Sequence, residues 1–145
     1  MRFYVVNRIP IKRRVRFNPR NGRTYTDAQT TADLNAVASA YKGERYLCPV
    51  AIIAFVYKQL PKARWRKGIE PFDCKPDLDN VLKAIMDGLN GIAYADDKQV
   101  TSAYIRKLDR ESIAGEYVKF TVIPADRMTG VLVDGELTED SNEFQ

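Results

Sequence analysis

The sequence predicts an α/β (α+β) domain built on a four-stranded mixed sheet with two main helices. The first observation is that β-prone runs and helical periodicities follow one another as strand, helix, strand, helix and two further strands. The second is the length of 145 residues, which suits one domain. The third is the composition, 45% hydrophobic and 29% charged, which is typical of a globular protein.

The N-terminal half supplies the first strand and the first helix. Residues 2–8 place apolar side chains on alternate sides, as a strand does. Thr26 or Asp27 is suited to cap a helix that runs to about Tyr41, because apolar side chains follow at near-helical spacing. Gly43 favours the end of that helix.

The C-terminal half supplies three strands and the strongest helix. Residues 49–58 form a near-continuous β-prone run, which indicates a central strand. A helix from Leu78 to about Asn90 follows from apolar residues at i, i+3, i+4 and i+7. Residues 99–107 and 116–123 are predicted as the third and fourth strands.

Charge divides the chain into a basic body and an acidic tail. The net charge is +4, from 23 basic and 19 acidic residues. Residues 126–145 hold six acids and one base, so residues 1–125 carry 22 basic and 13 acidic residues. We therefore predict one domain over residues 1–125, followed by an acidic, partly disordered tail over residues 126–145.

The residue types that are missing exclude several kinds of chemistry. The chain has no histidine and no glycine-rich phosphate loop, which excludes Ser-His-Asp triads, histidine zinc sites and the common nucleotide-binding loops. The two cysteines, Cys48 and Cys74, are predicted to be small core residues and form no disulfide framework. No apolar run is long enough to span a membrane and no signal peptide is recognisable, so a cytoplasmic location is expected.

Two basic clusters indicate contact with nucleic acid. Arginine matches phosphate geometry, and an aromatic ring can stack on a base. The residues that we predict to bind DNA are Lys12, Arg13, Arg14 and Arg16 in the first cluster and Arg64, Trp65, Arg66 and Lys67 in the second. Both clusters are also compatible with solvated surface loops.

Carboxylates supply the candidate chemistry. Asp77 and Asp79 stand where the chain enters the second helix, and Lys83 follows one turn later. Asp96 and Asp97 come just after that helix and could return beside the first two acids. Three carboxylates without histidine are typical of a Mg²⁺ or Mn²⁺ site. The simpler alternative is that these acids cap a helix, pair with lysine or form an ordinary turn.

Two segments together resemble the RusA family of Holliday junction resolvases. The first is Lys75-Pro76-Asp77-Leu78-Asp79-Asn80, followed by Lys83, Asp87, Gly91 and Asp96-Asp97. The second is Pro10-Ile11-Lys12-Arg13-Arg14-Val15-Arg16, followed by Gly22-Arg23-Thr24-Tyr25-Thr26. The likeness covers about residues 5–123.

The resemblance implies a small homodimeric endonuclease that depends on Mg²⁺ or Mn²⁺ and cuts four-way DNA junctions in recombination and repair. It implies that Asp77, Asp79 and Asp97 bind metal, with Asp96 as the alternative to Asp97, and that Lys83 is a catalytic-site residue. It also implies a bacterial or phage origin. Two other hypotheses remain open at this point: a non-catalytic DNA-binding module, and a protein that binds or cuts RNA.

Overall fold

The computed structural model describes residues 1–59, 76–109, 115–128 and 143–144. It confirms the α/β prediction with its mixed sheet and two main helices. The elements are β1 (Arg2–Val6), β2 (Arg16–Asn18), β3 (Arg23–Tyr25), α1 (Ala28–Ala40), β4 (Val50–Lys58), α2 (Leu78–Leu89), a 3₁₀ turn (Asp97–Gln99), β5 (Val100–Asp109), β6 (Tyr117–Pro124) and β7 (Glu143–Phe144).

The four predicted strands form the main sheet, and a two-residue strand extends it. The order is β5-β4-β6-β1-β7. Strand β4 runs parallel to β5 and antiparallel to β6, while β1 runs antiparallel to β6 and parallel to β7. Every residue from Val50 to Tyr57 is buried, which confirms β4 as the central strand. Helix α2 lies in the crossover between the parallel strands β4 and β5.

Helices α1 and α2 cover one face of the sheet and pack closely on each other. Their apolar sides meet the core around Val37, Ile85 and Leu89, all fully buried. The contact is tightest at Gly88, where an added Cβ would lie 2.8 Å from the Cβ of Val37 and 3.0 Å from the carbonyl oxygen of Leu34. A side chain at position 88 would therefore push the two helices apart.

The start of α1 confirms one of the two predicted caps. The carboxylate of Asp27 accepts a hydrogen bond of 2.7 Å from the backbone N–H of Thr30. That hydrogen bond lowers the pKa of Asp27, because it stabilises the ionised carboxylate. The cap therefore fixes the residue at which α1 begins.

The opposite face of the sheet is also buried, and it holds a lysine. Lys119 is 1% exposed, and its ammonium lies 5.1 Å from the ring centre of Phe55 and 5.6 Å from that of Tyr57. Aromatic ring faces attract a cation, so this packing offsets part of the cost of burying the charge.

Two parts of the chain differ from the sequence prediction, and one predicted residue lies outside the described ranges. Strands β2 and β3 pair as an antiparallel hairpin between β1 and α1, and neither is among the four strands predicted from the sequence. Cys48 is exposed, so its prediction as a core residue is wrong: it precedes β4 in a surface loop beside Leu47, which is 89% exposed. Cys74 lies outside the described residues.

The C-terminal boundary is described only in part. Residues 125–128 form a helical turn, and Met128 packs into the core at 5% exposure. Strand β7 then pairs with β1. The other residues of the predicted acidic tail lie outside the described ranges, so the tail stays a prediction. None of the described helices is long and apolar enough to cross a membrane.

Candidate active site

A groove at the start of α2 brings acidic and basic side chains face to face. Its volume is about 840 Å³. Asp77 and Asp79 line it from the start of α2. Lys12, Arg13 and Arg14 line it from the segment between β1 and β2. The groove therefore joins two of the predicted metal ligands with three of the predicted DNA-binding residues.

The two acids of the groove face solvent at the positive end of α2. Asp77 is the N-cap residue, and it has the extended backbone that is typical of that position. Its carbonyl oxygen accepts the hydrogen bonds of the first helical turn, but within the described helix start its carboxylate accepts none. Asp79 lies in the first turn and is exposed. The carboxylate of Asp77 is thus available for a ligand, which the capping alternative does not explain.

Lys12 attaches the basic segment between β1 and β2 to α2 at two points. The backbone N–H of Lys12 donates to the carbonyl oxygen of Asn80 at 3.0 Å. The ammonium of Lys12 lies 3.2 Å from a carboxylate oxygen of Asp87, two helical turns further along. Lys83 lies between Asp79 and Asp87 on α2 and is exposed. Acidic and basic groups therefore alternate along this side of the helix.

Asp96 and Asp97 have different roles in the turn after α2. The carboxylate of Asp96 accepts a hydrogen bond of 3.0 Å from the N–H of Lys98, and the Gln99 side chain accepts one from the N–H of Asp96. This reciprocal pair is a capping box. Asp96 is therefore engaged in local structure.

The neighbouring acids also change the ionisation of this pair. The hydrogen bond with Asp96 raises the pKa of Asp97; its partial burial and the nearby charge of Asp87 act in the same direction, and Lys83 opposes them. The N–H of Lys98 lowers the pKa of Asp96. Asp97 therefore lies near enough to Asp87 and Lys83 for their charges to act on it.

Asp97 does not line the groove with Asp77 and Asp79. The groove is lined by neither Asp97 nor Lys83. Within residues 1–59, 76–109 and 115–128, no three acidic or cysteine side chains lie close enough together to hold one metal ion. Two carboxylates are still a suitable protein contribution for Mg²⁺, which usually keeps several waters and binds substrate phosphate.

The predicted DNA-binding residues differ in how far they are free to meet a ligand. Arg13 pairs with Asp33 at 2.9 Å, and Arg16 pairs with Asp27 at 3.4 Å. Arg14 is exposed at the groove, and no ion pair holds it among the residues that the structure describes. The second predicted cluster, Arg64, Trp65, Arg66 and Lys67, lies outside the described residues.

Sequence reasoning missed Asp33, which organises the basic segment. Asp33 is 1% exposed and accepts hydrogen bonds or ion pairs from Arg8, Ile11 and Arg13. A signal for it exists in the sequence. Asp33 falls on the same helical face as the buried Thr30 and Val37, and a buried acid needs cationic partners.

The chain is similar in sequence to known proteins. The family model described as "Endodeoxyribonuclease RusA" matches residues 8–120. The chain is also 33% identical over 85 residues to YqaN, an uncharacterized protein of Bacillus subtilis (strain 168). That match covers 52% of this chain and 60% of YqaN, so the chain spans less than two thirds of that relative.

Proposed function

This chain belongs to the RusA endodeoxyribonuclease family, and from that membership we propose that it is a metal-dependent, structure-selective endonuclease that resolves four-way DNA junctions. The observation that carries the proposal is the groove at the start of α2. There, Asp77, whose carboxylate makes no capping hydrogen bond, and the exposed Asp79 line the same groove as three basic residues, Lys12, Arg13 and Arg14. The carboxylates can bind a divalent cation, and the basic side chains can bind the phosphates of a DNA strand.

The acids of the site would hold Mg²⁺ or Mn²⁺. Asp77 and Asp79 contribute two carboxylates on the groove, and Asp97 is the third ligand that the family resemblance implies. A bound divalent ion supplies a Lewis acid for the phosphoryl oxygen and a water of lowered pKa. Asp77 and Asp79 lie at the N-terminus of α2, where the helix dipole stabilises negative charge.

The basic side chains would position the DNA. Arg14 at the groove and Arg16 on the hairpin offer guanidinium groups to phosphates of the DNA arms. Lys83 lies one turn after Asp79, where its ammonium can stabilise charge on the scissile phosphate. The cluster Arg64, Trp65, Arg66 and Lys67 would add phosphate contacts and one stacking ring.

The symmetry of the substrate favours a homodimer. A four-way junction has approximate two-fold symmetry, and resolution needs a cut in each of two opposed strands. Two copies related by a two-fold axis would present one site to each strand. Junction resolution would serve DNA recombination and repair in a bacterial or phage setting.

A second candidate function is a DNA-binding module without cleavage. The observation that favours it is the separation of Asp97 from the groove, since the described residues form no three-acid metal cluster. In this alternative the basic segment binds branched DNA, and the acids are local structural groups.

One experiment separates these functions. A labelled four-way DNA junction, a matched linear duplex and the corresponding RNA junction are each incubated with the protein in Mg²⁺, in Mn²⁺ and in EDTA. The proposed function predicts paired cuts in the DNA junction with either metal and none in EDTA. Binding without cleavage in every condition would establish the DNA-binding module instead, and preferential cleavage of the RNA junction would move the substrate class to RNA.

A further inference from the structure

Asp33 is a buried carboxylate with an unusually full set of partners from one neighbouring segment. Its side chain is 1% exposed. One oxygen lies 3.1 Å from Nε of Arg8; the other lies 2.9 Å from Nη1 of Arg13 and 3.2 Å from the backbone nitrogen of Ile11. Gln29, one turn earlier on α1, donates a weaker hydrogen bond of 3.4 Å.

These contacts fix the path of residues 8–13 against α1. Two guanidinium groups and one backbone N–H, spaced over six residues, converge on a single carboxylate. A charge-assisted hydrogen bond away from water is strong and directional, so each contact restricts the backbone on both sides of it. Removing the carboxylate would leave two arginines and one amide without their shared partner.

The same segment is tied to α2 on its other side. The N–H of Lys12 donates to the carbonyl oxygen of Asn80, and its ammonium pairs with Asp87. Residues 11 and 12 are therefore held between α1 and α2 by adjacent backbone N–H groups. Ile11 faces Asp33, and Lys12 faces the start of the helix that carries Asp79.

We propose that Asp33 is a positioning residue. It holds the basic wall of the groove (Lys12, Arg13 and Arg14) at a fixed distance from the acidic wall (Asp77 and Asp79). The part of this proposal that concerns catalysis rests on the proposed function. Asp33 also gives the neighbouring residues Arg13 and Arg14 different roles. It engages the guanidinium of Arg13 as a structural contact, while the exposed Arg14 remains at the groove for a phosphate.

The direct test is amide hydrogen exchange on the full chain with Asp33→Asn. Asparagine keeps the shape of the side chain but removes the charge that both arginines share. The amides of Ile11 and Lys12 are expected to exchange about tenfold faster or more, since their protection depends on the local clamp. The amides inside α2 are expected to keep their protection, which separates loss of the clamp from global unfolding.

Asp27→Asn is the matched control. It makes the same substitution at the start of the same helix and loosens Arg16, and asparagine caps a helix about as well as aspartate. It should leave the exchange of Ile11 and Lys12 unchanged. Parental exchange at both amides in Asp33→Asn, or equal acceleration in the control, would overturn the proposal.

A second variant serves if Asp33→Asn fails to fold. Arg13→Gln leaves Arg8 and Ile11 on the carboxylate, and Arg13 is 31% exposed, so its loss disturbs the core less. It should speed exchange at Ile11 and Lys12 to a smaller extent. Unchanged exchange in a folded Arg13→Gln would also count against the clamp.

Junction cleavage adds a second measurement, in which a positioning role changes turnover but leaves the half-saturating junction concentration nearly unchanged. In Asp33→Asn, turnover should fall about tenfold or more, while the half-saturating junction concentration changes by less than about twofold, since the walls lose alignment rather than charge at the groove. Arg14→Gln should instead raise the half-saturating concentration. If the parent protein cuts nothing, the proposed function fails while the exchange experiment still decides on the clamp.

Discussion

The ammonium of Lys12 lies 3.2 Å from the carboxylate of Asp87, and this ion pair connects the basic segment to the C-terminal end of α2. Both side chains are about one quarter exposed, so the pair is screened only in part by water. Lys12 can therefore bind a DNA phosphate only in competition with Asp87. If the groove binds DNA as proposed, the pair would limit how strongly the groove attracts phosphate.

Asp87→Asn should strengthen junction binding because it releases Lys12 and removes a negative charge beside the groove. One extra phosphate contact would steepen the slope of log affinity against log salt by about 0.9. The measurement is junction affinity at four or more salt concentrations in EDTA. Asp126→Asn is the matched control: it makes the same charge change at an exposed position away from the groove, beside Cys48. Weaker binding by Asp87→Asn would show that the pair supports DNA binding instead of opposing it.

Replacing Arg13, Arg14 and Arg16 together with alanine should flatten the same salt dependence. Each phosphate neutralised by the parent protein releases counterions, and the triple variant neutralises fewer. The single variants should divide this effect unequally: Arg14→Ala should change the slope more than Arg13→Ala, because Arg13 is engaged by Asp33. An unchanged slope in the triple variant would place the DNA on another surface.

Gly88→Ala should destabilise the protein by about 1 to 3 kcal/mol through overpacking. In an exposed helix the same change would stabilise by about 1 kcal/mol, because alanine is the better helix former. Here the new methyl group would lie 2.8 Å from the Cβ of Val37, and neither helix can retreat without opening the core. Urea unfolding measures the difference in stability. A more stable variant would show that α1 and α2 are less closely packed than described.

The protein should sediment as a homodimer of about twice the 16.5 kDa chain mass at micromolar concentration. The physical reason is the two-fold symmetry of the junction, which calls for two coordinated sites. Sedimentation equilibrium gives the mass directly. A monomer that still cuts both strands of one junction in concert would contradict this prediction.

The fold could be predicted because its main signals are local in the sequence. The apolar run of β4 and the periodic apolar face of α2 need no knowledge of the partners that bury them. The same holds for Asp27, whose capping bond reaches only three residues ahead. The hairpin β2–β3 gave a weaker signal, because its side chains are largely exposed and its strands are only three residues long.

The site was predicted less completely, because its geometry depends on contacts between distant segments. The pattern of Asp77 and Asp79 at a helix start is visible in the sequence. The burial of Asp33 depends on a segment 20 or more residues earlier packing across α1. The position of Asp97 depends on how the turn after α2 folds back, and a capping box at Asp96 decides that.

Cleavage of a labelled four-way junction by the Asp79→Asn variant tests the central claim most directly. Asparagine keeps the shape of aspartate but loses the charge that a metal ion needs. We expect cleavage in Mg²⁺ to fall by orders of magnitude, while junction binding in EDTA stays equal or tightens, since a negative charge facing phosphate has gone. Asp77→Asn and Asp97→Asn should behave alike, and Asp96→Asn should be milder. Cleavage by Asp79→Asn at the parental rate would contradict the metal-site assignment.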